Sequence, residues 1–115
     1  MVSGAGLGAT YFWKQDQKLA SPVRIAVIGT GDEGQVLINA CNPEYVDVVQ
    51  ICDIRPYNIH RAFHGDWAGE VALANRQGLI KRFGFADEAA AKEHVKITAD
   101  YKEVLKNPDV EAIII

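Results

Sequence analysis

The sequence predicts an α/β fold, one half of a doubly wound parallel sheet with about four strands in the order 3-2-1-4. Three observations predict it. Apolar, β-branched runs alternate with stretches at helical spacing across residues 23–115. The first run ends in glycine and leads at once into a helical stretch. The last residues, DVEAIII, carry three consecutive isoleucines and read as a buried strand. Strands separated by helices pair in parallel through right-handed crossovers, and 3-2-1-4 is the order that follows.

Each element has its own signal. VRIAVIG, from residue 23, is the first strand. DEGQVLINAC places Val36, Leu37, Ala40 and Cys41 at helical spacing, and Asn42-Pro43 stops that helix. Residues 46–53, VDVVQICD, are the second strand. Pro56 and Asn58 mark a turn and the start of a helix that runs into IHRAFHG. GEVALANRQGLIKRFG keeps helical periodicity despite Gly78. Asp87 is placed to cap the DEAAAKEH helix, with Glu88 and Lys92 as an i,i+4 pair. VKIT is a short third strand. Asp100, with Glu103 three residues on, is a variant capping box for DYKEVLK. Asn107-Pro108 ends that helix, and residues 110–115 form the fourth strand.

Composition narrows the function. The chain has 115 residues, enough for one domain. Its 49% hydrophobic and 23% charged content is that of an ordinary soluble domain. Net charge is −3 and no run of five basic residues occurs, which argues against a nucleic-acid surface. Cys41 and Cys52 both fall in apolar segments and read as buried thiols, not a disulfide framework. Residues 1–22 read as an N-terminal arm or the remnant of an export signal. The uncharged stretch 2–13 is shorter than the ~20 residues of a membrane span, and no basic residues precede it. A cytoplasmic location is expected, or export if the arm is a signal remnant.

The informative motif is Gly29-Thr30-Gly31-Asp32-Glu33-Gly34, which fits G-x-G-x-x-G. Alone the pattern is weak. Here it follows a strand and opens a helix, so each glycine has a task. The first makes the tight turn, the second lets a pyrophosphate approach the backbone, and the third lets helix pack on strand. The helix start offers free N–H groups and partial positive charge. Asp53 ends the second strand, 24 positions after Gly29, near the separation of about 20 expected for a ribose-binding acid. Its carboxylate favours NAD over NADP by accepting both adenosine ribose hydroxyls and repelling a 2′-phosphate. Arg55 pulls the other way, since a guanidinium can take that phosphate or stack on adenine. The competing readings are a ligand-free glycine turn and a strand-end turn aspartate.

Asp32 and Glu33 sit oddly beside phosphates. Two unit charges about 8 Å apart in water repel by roughly 0.5 kcal/mol, comparable to the ~0.3–1 kcal/mol an acid contributes in a first helical turn. Gly4-Ala5-Gly6-Leu7-Gly8 follows no strand and takes no phosphate role. His60 and His64 are four apart with Asp66 beyond, but Arg61 stands where a metalloprotease helix carries glutamate, so no metal site is assigned. His94 is isolated and expected at an exposed helix end. Trp13 and Trp67 are too far apart to suggest a stacking platform.

VRIAVIGTGDEGQVLINAC, VVQICDIRPYN and above all DYKEVLKNPDVEAIII resemble the N-terminal half of Gfo/Idh/MocA oxidoreductases. The likeness runs over residues 23–115 and is weak between Phe63 and Glu93. It implies a Rossmann NAD(P)-binding domain joined to a C-terminal α/β domain, and hydride transfer to or from sugars, inositols and related polyols. On matching positions, Gly29, Gly31 and Gly34 would hold the pyrophosphate and Asp53 the ribose. Thr30 and Asp32 would line the same turn, and Arg55 would lie near the adenine. The family's later threonine-proline, glutamate-lysine-proline and catalytic aspartate or histidine have no counterpart here, so no catalytic residue is carried over.

The expectation is therefore the nucleotide-binding part of such an enzyme, truncated before its substrate domain and inactive alone. Its cofactor would be NAD, with NADP as the alternative. A sugar-like substrate would bind only with the missing domain, and an uncovered last strand would favour self-association. The other readings are a stand-alone NAD-sensing module and an S-adenosylmethionine-dependent methyltransferase.

Overall fold

A computed structural model of the chain describes residues 21–115. The N-terminal arm up to residue 20, with its glycine cluster and Trp13, lies outside the described residues. The element order is β1 (Val23–Ile28), α1 (Asp32–Ala40), β2 (Val46–Cys52), α2 (Pro56–His64), α3 (Glu70–Asn75), α4 (Leu79–Phe83), α5 (Glu88–His94), β3 (Lys96–Thr98), α6 (Tyr101–Lys106) and β4 (Ala112–Ile114). The four strands form one parallel sheet in the order β3-β2-β1-β4. This is the expected α/β, Rossmann-like topology.

Strand periodicity explains why helices cover both faces. Successive side chains point to opposite sides of a strand. Ile25 and Val27 of β1 enter one core with Val48 and Ile51 of β2, Ile38, Phe63, Leu79, Ala91 and Val95. Ala26 enters a second, smaller core with Cys52 and Val104, joined by Ile28, Val110 and Ile113. The central strands β1 and β2 thus bury apolar residues on both sides, as buried parallel strands do. The edge strands β3 and β4 are only partly covered, so the last strand is not the buried one expected. Phe63 is 1% exposed, and burying a side chain of that size contributes about 1.5–3 kcal/mol.

Four local expectations need correction. In α1 the inward residues are Gly34, Gln35 and Ile38. Val36 and Leu37 are half-buried and Ala40 is exposed. Gly34 must meet the first glycine turn, and that contact sets the rotation of the helix. The stretch read as one helix from residue 69 is two, broken before Gly78. Gly78 has φ +85° and a Cβ there would stand 2.5 Å from the Gly65 nitrogen. Gly65, at φ +89°, is as tightly placed against the Arg76 and Gln77 carbonyls. Two backbones cross at these glycines, and Asp66 N–H donates to the Arg76 carbonyl at 3.0 Å to close the loop between them. The fourth strand pairs over Ala112–Ile114 and not from residue 110.

The last correction concerns α6. Asp100 caps it, accepting the Lys102 N–H at 2.9 Å. Glu103 does not reach back to Asp100 but accepts the Thr98 hydroxyl, while Asp100 N–H donates to Thr98 Oγ1 at 3.1 Å. Thr98 has displaced the glutamate from the box. On α5, Asp87 accepts the Ala90 N–H at 2.8 Å and Lys92 pairs with Glu88 at 2.6 Å, both as expected.

Candidate functional site

The glycine turn and Asp53 meet where β1 and β2 end. Gly29, at φ +87°, turns the chain out of β1 and donates its N–H to the Cys52 carbonyl at 2.8 Å. A Cβ at Gly34 would lie 1.9 Å from the Gly29 carbonyl oxygen, so only glycine lets α1 sit this close to the turn. A Cβ at Gly31 would meet nothing nearer than Asn58 Nδ2 at 3.8 Å. Its φ of −68° suits any residue. The fold itself therefore does not require Gly31, and the space in front of it is open to a ligand. At the start of α1, Gln35 N–H donates to the Gly31 carbonyl at 3.0 Å. The amides before it have no intrahelical acceptor, as at every helix start.

Both carboxylate oxygens of Asp53 accept hydrogen bonds from the protein. Its Oδ2 accepts the Thr30 N–H at 2.8 Å and the Thr30 hydroxyl at 3.3 Å. Its Oδ1 accepts the Arg55 N–H at 2.8 Å. Asn58 Nδ2 lies 3.2 Å from both oxygens. Partial burial pushes the carboxyl pKa up, but the Arg55 and Thr30 amides and the Asn58 and Thr30 side chains outweigh it and hold the group below the usual aspartate value. It is an anion with little spare hydrogen-bonding capacity, since a carboxylate offers about four lone-pair sites.

The acids that looked misplaced are accounted for. Asp32 is exposed and turns outward to Arg61, with Oδ1 2.9 Å from Nη1. Arg61 also pairs with the buried Asp66 at 3.0 Å, and Arg76 pairs with the same carboxylate oxygen. Asp66 is kept below the ordinary range first by the Ala68 N–H and then, against the cost of burial, by these two guanidiniums. Arg61 Nη2 donates to Asn58 Oδ1 at 3.1 Å, so the cluster reaches back to Asp53. Arg55 joins the site through its backbone, and its position before Pro56 leaves it exposed.

Beside Asp53 a cleft of about 220 Å³ opens, lined by Ile28, Gly29, Cys52, Ile54, Ala99 and Tyr101. Ile54 and Tyr101 are exposed, so its rim is apolar. Burial, and then the charges of Asp53, Asp100 and Glu103, push the Cys52 thiol up. It is a floor, not a nucleophile.

All seven residues singled out from the sequence gather at this end of the sheet, though Asp32 leaves the crevice and the Thr30 amide faces Asp53. Sequence reasoning missed Asn58, which it read as a turn marker, and Gln35, whose Nε2 donates to the Thr30 carbonyl at 3.0 Å. It also missed Arg61, Asp66, Arg76 and the apolar cleft. An inward helical position could have signalled Gln35, whereas Asp66 and Arg76 lie outside the helices and carry no such signal.

The histidines have plain partners. The His60 and His64 rings stack at 4.5 Å, and His64 Nε2 lies 3.3 Å from Glu88. His94 lies exposed at the end of α5, as expected, with its Nε2 2.6 Å from Asp47 Oδ1. Among the described residues no three His, Cys, Asp or Glu side chains gather as a metal site, and no helix is long and apolar enough to cross a membrane. Comparison with family models, curated proteins and solved structures finds no match to this chain.

Proposed function

We propose that residues 23–115 bind a nicotinamide dinucleotide and form the nucleotide-binding part of an NAD(P)-dependent oxidoreductase of the Gfo/Idh/MocA type. Its reaction would be hydride transfer between the nicotinamide and a sugar, inositol or related polyol. The observation that carries the reading is the ionised Asp53 beside a glycine turn whose middle glycine, Gly31, the fold does not need.

The residues present fit such a cofactor. The pyrophosphate would take the α1 amides in front of Gly31, where no Cβ intrudes. Adenine would enter the apolar cleft between Ile54 and Tyr101, and its ribose would meet Asp53 at the rim. The nicotinamide supplies the hydride chemistry when bound. This chain's residues bind and orient the cofactor, and among the described residues none is assigned a proton-transfer role. Because Asp53 is held as an anion, NAD is preferred to NADP.

The test is a fluorescence titration of the chain with NADH and NADPH, and a calorimetric one with S-adenosylmethionine. NADH should bind tightest. Asp53→Ala should weaken NADH by about 1–3 kcal/mol and NADPH far less. Equal losses would remove Asp53 from the ribose, and tight S-adenosylmethionine binding without a response to NADH would end the dehydrogenase reading.

A further inference from the structure

Asn58 stands between the two halves of the site. Its carbonyl is taken by Arg61 Nη2 at 3.1 Å. An amide bonded this way presents its NH2 on the opposite side, and that NH2 faces both Asp53 oxygens at 3.2 Å. Arg61 is fixed in turn by Asp66, which is 3% exposed. The orientation of Asn58 is thus set from the buried side. Its Nδ2 is also the nearest atom to the open face of Gly31, 3.8 Å from where a Cβ would be. Thr30, the chain neighbour of Gly31, also bonds Asp53, but Asn58 reaches both from another element of the fold.

We propose that Asn58 is the positioning residue of the ribose acceptor: locked by Arg61, it orients the Asp53 carboxylate and passes an N–H to a ribose hydroxyl when the nucleotide binds. The inference rests on the dinucleotide reading above. Asp53 already takes the Thr30 and Arg55 amides at 2.8 Å, its shortest bonds. A ribose diol must therefore displace the longer ones. Those are the Thr30 hydroxyl at 3.3 Å and the shared Asn58 contact at 3.2 Å. A hydroxyl both donates and accepts. It can give its proton to Asp53 while its oxygen accepts the N–H that Asn58 withdraws. The exchange leaves the Asn58 donor matched. A 2′-phosphate has no proton to give Asp53, so in NADP only the 3′-hydroxyl can take part and the phosphate charge faces the carboxylate.

The test uses the full chain and the variants Asn58→Leu, Asn58→Asp and Asn58→Ser. Two readouts are taken at equal folded fraction: the Asp53 carboxyl pKa by NMR without nucleotide, and NADH affinity by fluorescence. In Asn58→Leu the Asp53 pKa should rise and NADH affinity fall about 5- to 30-fold. Asn58→Asp keeps the Arg61 contact but sets a second carboxylate against Asp53, and should raise that pKa further. Asn58→Ser, smaller and still polar, should fold where leucine does not and give the same direction. An unchanged Asp53 pKa with wild-type NADH affinity in any folded variant would overturn the proposal. If the unaltered chain ignores NADH while Asn58→Leu still raises the Asp53 pKa, the dinucleotide reading and the hand-over fall, and the orienting contact stands.

Discussion

The Thr30 N–H donates to Asp53 Oδ2 at 2.8 Å, joining the glycine turn to the end of the neighbouring strand. The two residues are 23 positions apart in the chain. Thr30 is fully buried and its carbonyl is taken by Gln35. The Thr30 amide is therefore already committed and closed to a pyrophosphate, and it fixes the acid that would hold the sugar. The shape of the turn and the direction of the carboxylate are set by the same hydrogen bond.

The glycines of the turn should separate by experiment. At Gly34 an added Cβ collides with the Gly29 carbonyl at 1.9 Å. Gly34→Ala must push α1 off β1, and overpacking against backbone should lower stability by more than about 2 kcal/mol. At Gly31 the added methyl has room. Gly31→Ala should leave the urea unfolding midpoint unchanged while reducing NADH affinity at least tenfold. Equal stability losses in the two variants would contradict the division.

Asp66 should matter more than its distance from the turn suggests. It is the shared acceptor of Arg61 and Arg76 and it also accepts the Ala68 N–H at 3.0 Å. Asp66→Ala leaves two largely buried guanidiniums without their anion, a change that costs about 3 kcal/mol where such pairs are broken. Chemical denaturation would measure it. A loss under about 1 kcal/mol would mean that water or Asp32 takes over the arginines.

Acid should unfold the protein through these same carboxyls. Asp53 and Asp66 both lie below the ordinary value of 3.8 in the folded chain. Groups depressed on folding contribute stability that is present above their unfolded pKa and lost as pH falls through the folded one. These two groups should therefore add no slope between pH 7 and pH 5, and stability should drop steeply below about pH 4. The Asp66→Asn variant should show a shallower drop in a thermal melt series over that window. An unchanged slope would place the acid sensitivity elsewhere.

Cys52 should react sluggishly. It is 4% exposed, and burial with three nearby carboxylates favours the thiol. Disulfide-exchange reagents at pH 8 should label it only as fast as the protein opens, and NADH should slow labelling further by filling the cleft. Rapid labelling of the folded chain, insensitive to NADH, would mean that the cleft floor is open.

Much of this was legible beforehand, and for a physical reason. The central strands β1 and β2 bury apolar residues on both faces, so their runs are hard to mistake. The helix caps at Asp87 and Asp100 depend on neighbours a few residues away, and the sequence displays those directly. What could not be read depended on distant partners. The inward face of α1 follows from Gly34 meeting Gly29, and the break before Gly78 follows from Gly65 crossing it. Glu103 leaves its cap because Thr98 happens to stand within reach. The polar chain from Asp53 through Asn58 and Arg61 to Asp66 has no spacing rule, because each link joins side chains through space.

The crossing of Gly65 and Gly78 has an evolutionary consequence. A segment whose two ends already touch can grow or shrink between them, here between Asp66 and Arg76, while the chain before and after it keeps its course. Exposed residues of that segment such as Trp67 and Val71 are thus free to drift, whereas the two crossing points tolerate no side chain at all. Related proteins should differ in length here before they differ anywhere in the sheet.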